Sequence, residues 1–121
     1  MQFELRSLGQ CEPHGLTDPI QRLMQRKNSA EGICFVSLQG SGAALFSVDC
    51  PEGDMTNVHH VIEAAQALNK NPHLLSSLLG TSLHLPVQKG QLLRSTWQEI
   101  ILVDFTATPR LHTITVHVLP T

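Results

Sequence analysis

The pattern of apolar and polar positions divides this chain into blocks of strands separated by helices. Apolar and polar residues alternate at the start, where Phe3 and Leu5 fall on one side. Helical spacing follows over residues 15–32, in which Ile20, Leu23 and Met24 form one stripe. The same two periods predict further strands at 32–39, 42–49, 81–87, 95–105 and 111–119, and further helices at 55–70 and 71–80.

Signals at the helix ends support these assignments. Thr17 or Asp18 can cap the first helix, while Asn71 followed by Pro72 predicts the start of the third, which Gly80 would end. The second helix has an apolar stripe formed by Val58, Val61, Ile62, Ala65 and Leu68.

Strands in blocks with helices between the blocks predict an α+β fold, with two mainly antiparallel sheets packed with helices in one domain over residues 1–121. The strand at 95–105 has apolar residues at both sets of alternating positions, so both its faces are apolar. We therefore expect both faces to be covered, one by the same chain and the second by another subunit. The segment Gly40-Ser41-Gly42 leads into a strand rather than a helix, which favours a hairpin turn over a phosphate-binding loop.

Composition excludes several classes of partner. The chain has 121 residues, eight Lys and Arg residues and a formal net charge of −2, which provides no basic stripe for nucleic acid. No apolar run reaches the roughly 18–20 residues of a membrane span, and the first residues do not resemble a signal peptide. We therefore expect no nucleic-acid or membrane partner and a cytoplasmic location.

The cysteines and histidines provide no recognisable metal motif. Three cysteines lack metal spacing; Cys34 is predicted to be buried and Cys50 to be an exposed thiol. The seven histidines form no HExxH motif, and the adjacent His59 and His60 point about 100° apart on a helix. No metal site is predicted, and the sequence leaves any cofactor unknown.

The only tryptophan, Trp97, precedes Gln98 where the long apolar strand begins. We expect Trp97 to fill the core and Gln98 to point the opposite way. A buried amide costs about 1–3 kcal/mol unless it is hydrogen-bonded. Gln98 therefore needs a partner, which the sequence leaves open among the backbone, another subunit and a ligand.

The segment "HLLSSLLGTSLHLPVQKGQLLRSTWQEIILVDF" is followed by "PRLHTITVHVL". This order of motifs closely resembles the YjbQ-type family, also called the secondary thiamine-phosphate synthase proteins, and the resemblance extends over about residues 15–119. It implies an α+β homotrimer with pockets near the subunit contacts, and a weak thiamine-phosphate synthase activity.

The resemblance also implies candidate site residues. His73 matches the family's helix-leading histidine, and Asp49 lies near its acidic residue; we take these two as the candidate catalytic residues. Candidate ligand-binding residues are Gly40, Ser41, Gly42, Asn69, Arg94, Gln98 and Arg110.

The chain departs from the family pattern within that site. Gly40-Ser41-Gly42 stands where the family has His-Thr-Thr, Arg94-Ser95 replaces Leu-Gly, and His112 replaces a second arginine. Two functions follow as hypotheses. The first is a weak synthase or a protein that binds a phosphate-containing small molecule at an eroded site. The alternative is a non-catalytic homotrimer that serves assembly or partner binding.

Overall fold

The computed structural model describes residues 1–27 and 31–121, and over these residues the chain forms eight strands and three α-helices. The predicted α+β class is confirmed. The strands are β1 (Gln2–Ser7), β2 (Pro13–Gly15), β3 (Gly32–Leu38), β4 (Ala43–Asp49), β5 (Ser82–Gln88), β6 (Gln91–Leu92), β7 (Gln98–Asp104) and β8 (Arg110–Pro120). The helices are α1 (Thr17–Arg26), α2 (Thr56–Leu68) and α3 (Pro72–Leu79).

Two antiparallel sheets organise the molecule. The larger sheet has the order β1-β8-β3-β5-β6, and the smaller has the order β2-β7-β4. One apolar cluster lies between the sheets and includes Leu16, which immediately precedes α1, and Ile20 and Met24 on α1. A second cluster packs α2 and α3 on the other face of the smaller sheet. The smaller sheet is therefore the middle layer.

This layering explains why β7 is apolar on both faces. Ile100 and Leu102 belong to the cluster between the sheets, while Ile101, Val103 and Phe105 belong to the cluster under α2 and α3. The prediction that another subunit supplies the second cover is wrong, because helices of the same chain supply it.

The loop at Gly40-Ser41-Gly42 is not a hairpin turn, and that prediction is also wrong. It leaves β3 in the larger sheet and enters β4 in the smaller one, so it connects two layers. Gly40 and Gly42 have φ values of 100° and 88°, which favour glycine. A Cβ on Gly42 would lie 2.9 Å from Thr106 Cγ2 and 3.0 Å from Arg110 Nη2. Glycine at 42 thus lets the Arg110 guanidinium lie against the loop.

The sequence predicted the N-cap residue correctly for α3 but not for α1. At α3 the prediction is confirmed, because Asn71 Oδ1 accepts a hydrogen bond from His73 N–H at 3.0 Å. At α1 neither Thr17 nor Asp18 is the cap. Residue Leu16 occupies that position, and Thr17 Oγ1 instead accepts from the buried Ile100 N–H at 2.9 Å. The last part of the first predicted helix, residues 28–30, lies outside the described residues.

Three predicted burials are corrected. Trp97 is 44% exposed and lies in the turn before β7, where its carbonyl accepts from Cys50 N–H. Cys50 is buried in the cluster under α2 and α3 rather than exposed. Leu68, at the end of α2, is 75% exposed because the buried stripe ends at Ala65. Strand β2 was not predicted, since three residues carry no detectable alternation.

No α-helix in residues 1–27 or 31–121 combines the length and the apolar composition that crossing a bilayer requires.

Candidate functional site

Most of the residues singled out from the sequence fall into two groups at opposite ends of the smaller sheet. Strands β4 and β7 are antiparallel, with Ala43 opposite Asp104 at one end and Asp49 opposite Gln98 at the other. Seven residues per strand separate the two ends by about 20 Å. The structure therefore does not bring all the candidate residues into one pocket.

The first group, which we call the His73 cluster, consists of Ser41, Gly42, His73 and Arg110, with Asp104 beneath them. Ser41 Oγ and His73 Nδ1 lie 3.0 Å apart, and Arg110 Nη2 donates to the Ser41 carbonyl at 2.9 Å. An imidazole and a guanidinium thus contact the same loop residue, the first at its hydroxyl and the second at its carbonyl. His73 and Ser41 are exposed, so the cluster is open to solvent.

Helix α3 fixes this cluster to the loop. His73 lies in its first turn, where backbone N–H groups create a positive potential that favours a nearby anion. One turn later, Ser76 Oγ accepts from Gly42 N–H at 3.3 Å and donates to the His73 carbonyl. The Gly42 N–H is thereby used within the chain, and it is not presented to a ligand.

Asp104 is the polar centre on which the cluster rests. Its carboxylate is fully buried and accepts three hydrogen bonds at Oδ2, from Ser7, Arg110 and His112. At Oδ1 it accepts three more, from Arg110 Nη2 and from the N–H and hydroxyl of Thr106. Six donors hold this side chain in place, and it in turn holds Arg110.

Electrostatics keep Asp104 ionised. Burial alone would raise the pKa of this carboxyl, but hydrogen bonds from Arg110, Thr106 and His112 outweigh burial and hold the pKa well below its usual range. Sequence reasoning missed Asp104 as a functional residue. The available signal was a carboxylate at the end of the apolar run in β7, six residues before the candidate Arg110.

The second group, which we call the Gln98 cluster, consists of Ser47, Asp49, Ser95 and Gln98. Gln98 Oε1 accepts from the Ser95 N–H at 3.2 Å, and its Nε2 donates to Ser47 Oγ at 3.1 Å. Ser95 Oγ lies 3.4 Å from Asp49 Oδ1. The Gln98 amide is satisfied by its own chain, so it requires neither a ligand nor a second subunit.

Arg94 and Asn69 lie outside the His73 cluster. Arg94 Nη1 donates to the Gln98 carbonyl at 2.7 Å, which ties it to the second group. Asn69 Oδ1 accepts from Asn71 N–H at 2.8 Å and so shapes the turn between α2 and α3. Gly40 is exposed at the start of the loop and has no neighbour within reach of an added Cβ.

The described part of the chain contains no group of three or more His, Cys, Asp or Glu side chains that could hold a metal ion. His73 has Ser41 as its partner, and His112 has Asp104.

Comparison with known proteins identifies the family to which the chain belongs. The family profile described as "UPF0047 protein YjbQ-like" matches residues 1–121, and the chain belongs to this family. A "UPF0047 protein" of Archaeoglobus fulgidus is 26% identical over 119 residues, covering 87% of this chain and 90% of its relative. Their shared description names no activity.

Solved structures show the same fold. An uncharacterised protein of the YjbQ/UPF0047 family from Clostridium acetobutylicum superposes with a TM-score of 0.85 at 18% identity, covering 98% of this chain and 99% of that one. A YbjQ-like protein of unknown function from Sulfolobus solfataricus gives a TM-score of 0.81 at 24% identity, covering 100% of this chain and 97% of that one. At these identities the likeness establishes the arrangement of sheets and helices.

Proposed function

We propose that this protein binds a phosphate-containing small molecule at the His73 cluster. One observation carries the proposal: Ser41 contacts the His73 imidazole through its hydroxyl and the Arg110 guanidinium through its carbonyl. The imidazole is a donor suited to phosphate oxygens, and so is Arg110 Nη1, which makes no hydrogen bond among the described residues. The first turn of α3 adds its positive potential. Ser41 itself is exposed.

The same contacts favour binding over efficient catalysis. Transfer of a group from a pyrophosphate requires positive charge directed at the leaving oxygens. Arg110 has most of its charge compensated by Asp104, with Nε–Oδ2 at 3.0 Å and Nη2–Oδ1 at 3.2 Å. The weak thiamine-phosphate synthase activity that the family resemblance implies is therefore expected to be low in this chain, although the cluster retains its capacity to hold a phosphate.

Thermal unfolding in the presence of ligands tests this proposal. Thiamine phosphate and thiamine pyrophosphate should raise the Tm, and thiamine itself should not. A ligand at about 100 times its Kd adds about 2.7 kcal/mol to the free energy of unfolding. His73→Ala and Ser41→Ala should remove the shift.

A matched control comes from α2. His59 is an exposed histidine on another helix, and His59→Ala should leave the ligand-induced shift unchanged. A shift that survives in His73→Ala, or no shift with either phosphate at millimolar concentration, contradicts phosphate binding at this cluster.

A second candidate function is self-assembly without catalysis, as a homotrimer. Leu74 and Leu78 lie one turn apart on α3 and are 42% and 56% exposed. Apolar side chains grouped in this way are typical of interaction surfaces. Light scattering should give three times the mass of one chain, and Leu74→Ser with Leu78→Ser should reduce it. A monomeric wild-type protein contradicts this candidate.

A further inference from the structure

A cavity near the start of β7 is separate from the His73 cluster. Its volume is about 310 Å³, at the lower end of the roughly 300–1,000 Å³ typical of ligand pockets. It lies at the end of the smaller sheet where β7 begins, about 20 Å from Asp104 along the strand. The residues lining it are Gln21, Gln91, Leu92, Arg94, Ser95 and Thr96.

The walls of this cavity are held by hydrogen bonds. Gln21 on α1 donates through Nε2 to the Gly90 carbonyl at 2.8 Å and accepts through Oε1 from Leu92 N–H at 3.1 Å. Arg94 Nη1 donates to the carbonyls of Thr96 and Gln98. Because the Gln21 and Arg94 side chains are already held by hydrogen bonds, ordering these two side chains would cost little entropy when a ligand binds.

Arg94 is the one ionisable side chain among the six lining residues. Only its Nη1 has hydrogen-bond partners in the described part of the chain, so Nε and Nη2 remain to bind a planar carboxylate in the bidentate manner. Glu99 lies 3.9 Å from Nη1. This neighbouring carboxylate reduces the local positive charge and disfavours a doubly charged anion, so a singly charged anion is the better match.

The remaining lining groups are mostly neutral and polar. Two side-chain amides and two hydroxyls surround Arg94, against a single leucine. The Gln91 amide and the Thr96 hydroxyl have no hydrogen-bond partner among the described residues, and such groups suit the hydroxyls of a ligand. We propose that this cavity binds a small hydroxylated carboxylate, with its carboxylate on Arg94 and its hydroxyls on Gln91, Ser95 and Thr96.

Titration of the ¹⁵N-labelled protein with sodium gluconate, followed by ¹H–¹⁵N NMR, tests the proposal. Gluconate should shift the backbone amide signals of Gln91, Ser95 and Thr96 in a saturable way at millimolar concentration. Sorbitol lacks the carboxylate and acetate lacks the hydroxyls, so each should bind at least about tenfold more weakly. Inorganic phosphate should not compete at the same concentration.

Variants separate recognition from folding. Arg94→Lys retains the charge but loses the fork of donors, and it should weaken gluconate binding about tenfold. Arg26→Lys, on the exposed last turn of α1, is the matched control and should bind as the wild type does. Because Arg94 also holds the turn before β7, Gln91→Ala provides a second variant that should weaken binding several-fold without disturbing that turn.

The results that overturn the proposal are specific. Absence of saturable shifts, equal binding of sorbitol, tighter binding of phosphate, or unchanged affinity in both variants each contradicts it. This cavity does not depend on the His73 cluster, so His73→Ala should leave gluconate binding intact. Failure at one site is therefore distinguishable from failure at the other.

Discussion

Replacing Asp104 with asparagine tests the network beneath the His73 cluster most directly. The side chain keeps its shape but exchanges one acceptor oxygen for an NH₂ group. In either orientation, that NH₂ faces donors: Ser7, Arg110 and His112 on one side, or Thr106 and Arg110 on the other. At least one donor is then left without an acceptor.

The structure sets the expected cost. Removing one partner of a buried ion pair typically costs about 3–5 kcal/mol. Arg110 is about one-third exposed and can recover part of this by hydration, and the Ser7 hydroxyl can rotate. We therefore expect Asp104→Asn to lower the free energy of unfolding by about 2–4 kcal/mol, which is a large share of the roughly 5–15 kcal/mol of an ordinary domain.

Urea unfolding monitored by circular dichroism measures this change. Glu99→Gln is the matched control, because Glu99 is a half-buried carboxyl on the same strand, 3.9 Å from Arg94, and such a pair contributes less than about 1 kcal/mol. A loss below about 1 kcal/mol for Asp104→Asn, or an equal loss for Glu99→Gln, would refute the assignment of Asp104 as the centre of the network.

Three further predictions follow from single contacts. Hydrogen bonds hold the pKa of Asp104 below its unfolded value of about 3.9, so the ionised carboxylate stabilises the fold above that pH and this stabilisation is lost as the pH falls below it. Between pH 7 and 3, the free energy of unfolding measured in urea should therefore fall more steeply in the wild type than in Asp104→Asn. Thr17→Val leaves the buried Ile100 N–H without its acceptor and should lower the free energy of unfolding by about 1–3 kcal/mol in the same assay, whereas Thr17→Ser should lower it much less. Equal losses in the two variants would contradict the role of the Thr17 hydroxyl as this acceptor. Gln98→Leu removes the bonds to Ser95 and Ser47 and should lower stability by about 0.5–1.5 kcal/mol; an unchanged urea midpoint would show that these bonds contribute nothing.

The local features of the fold were predictable because each depends on neighbouring residues. Alternation in β1 and β8, the cap and final glycine of α3, and the two apolar faces of β7 all appear within short segments. The cap of α1 was not predictable in the same way. Thr17 has the right chemistry for a cap, but a backbone N–H 83 residues away uses its hydroxyl instead.

The candidate site shows the same division. The sequence identified His73, Ser41 and Arg110, which the structure brings together, but it also placed Asp49, Arg94 and Gln98 in the same pocket. Antiparallel pairing of β4 with β7 separates these groups, because the pairing places Asp49 and Gln98 at the far end from Asp104. Strand membership alone cannot reveal which end of a sheet a residue occupies.

The sequence by itself determined the class of elements, most of their bounds and the family, since periodicity and helix-end chemistry are local properties. Only the tertiary structure decided what covers β7, where the Gly40–Gly42 loop leads and why Asp104 is needed. The hydrogen bond between Ser7 and Asp104 joins residues 97 positions apart. Such a contact exists only after the two sheets have packed, because packing both excludes water from the carboxylate and brings the donors that replace it.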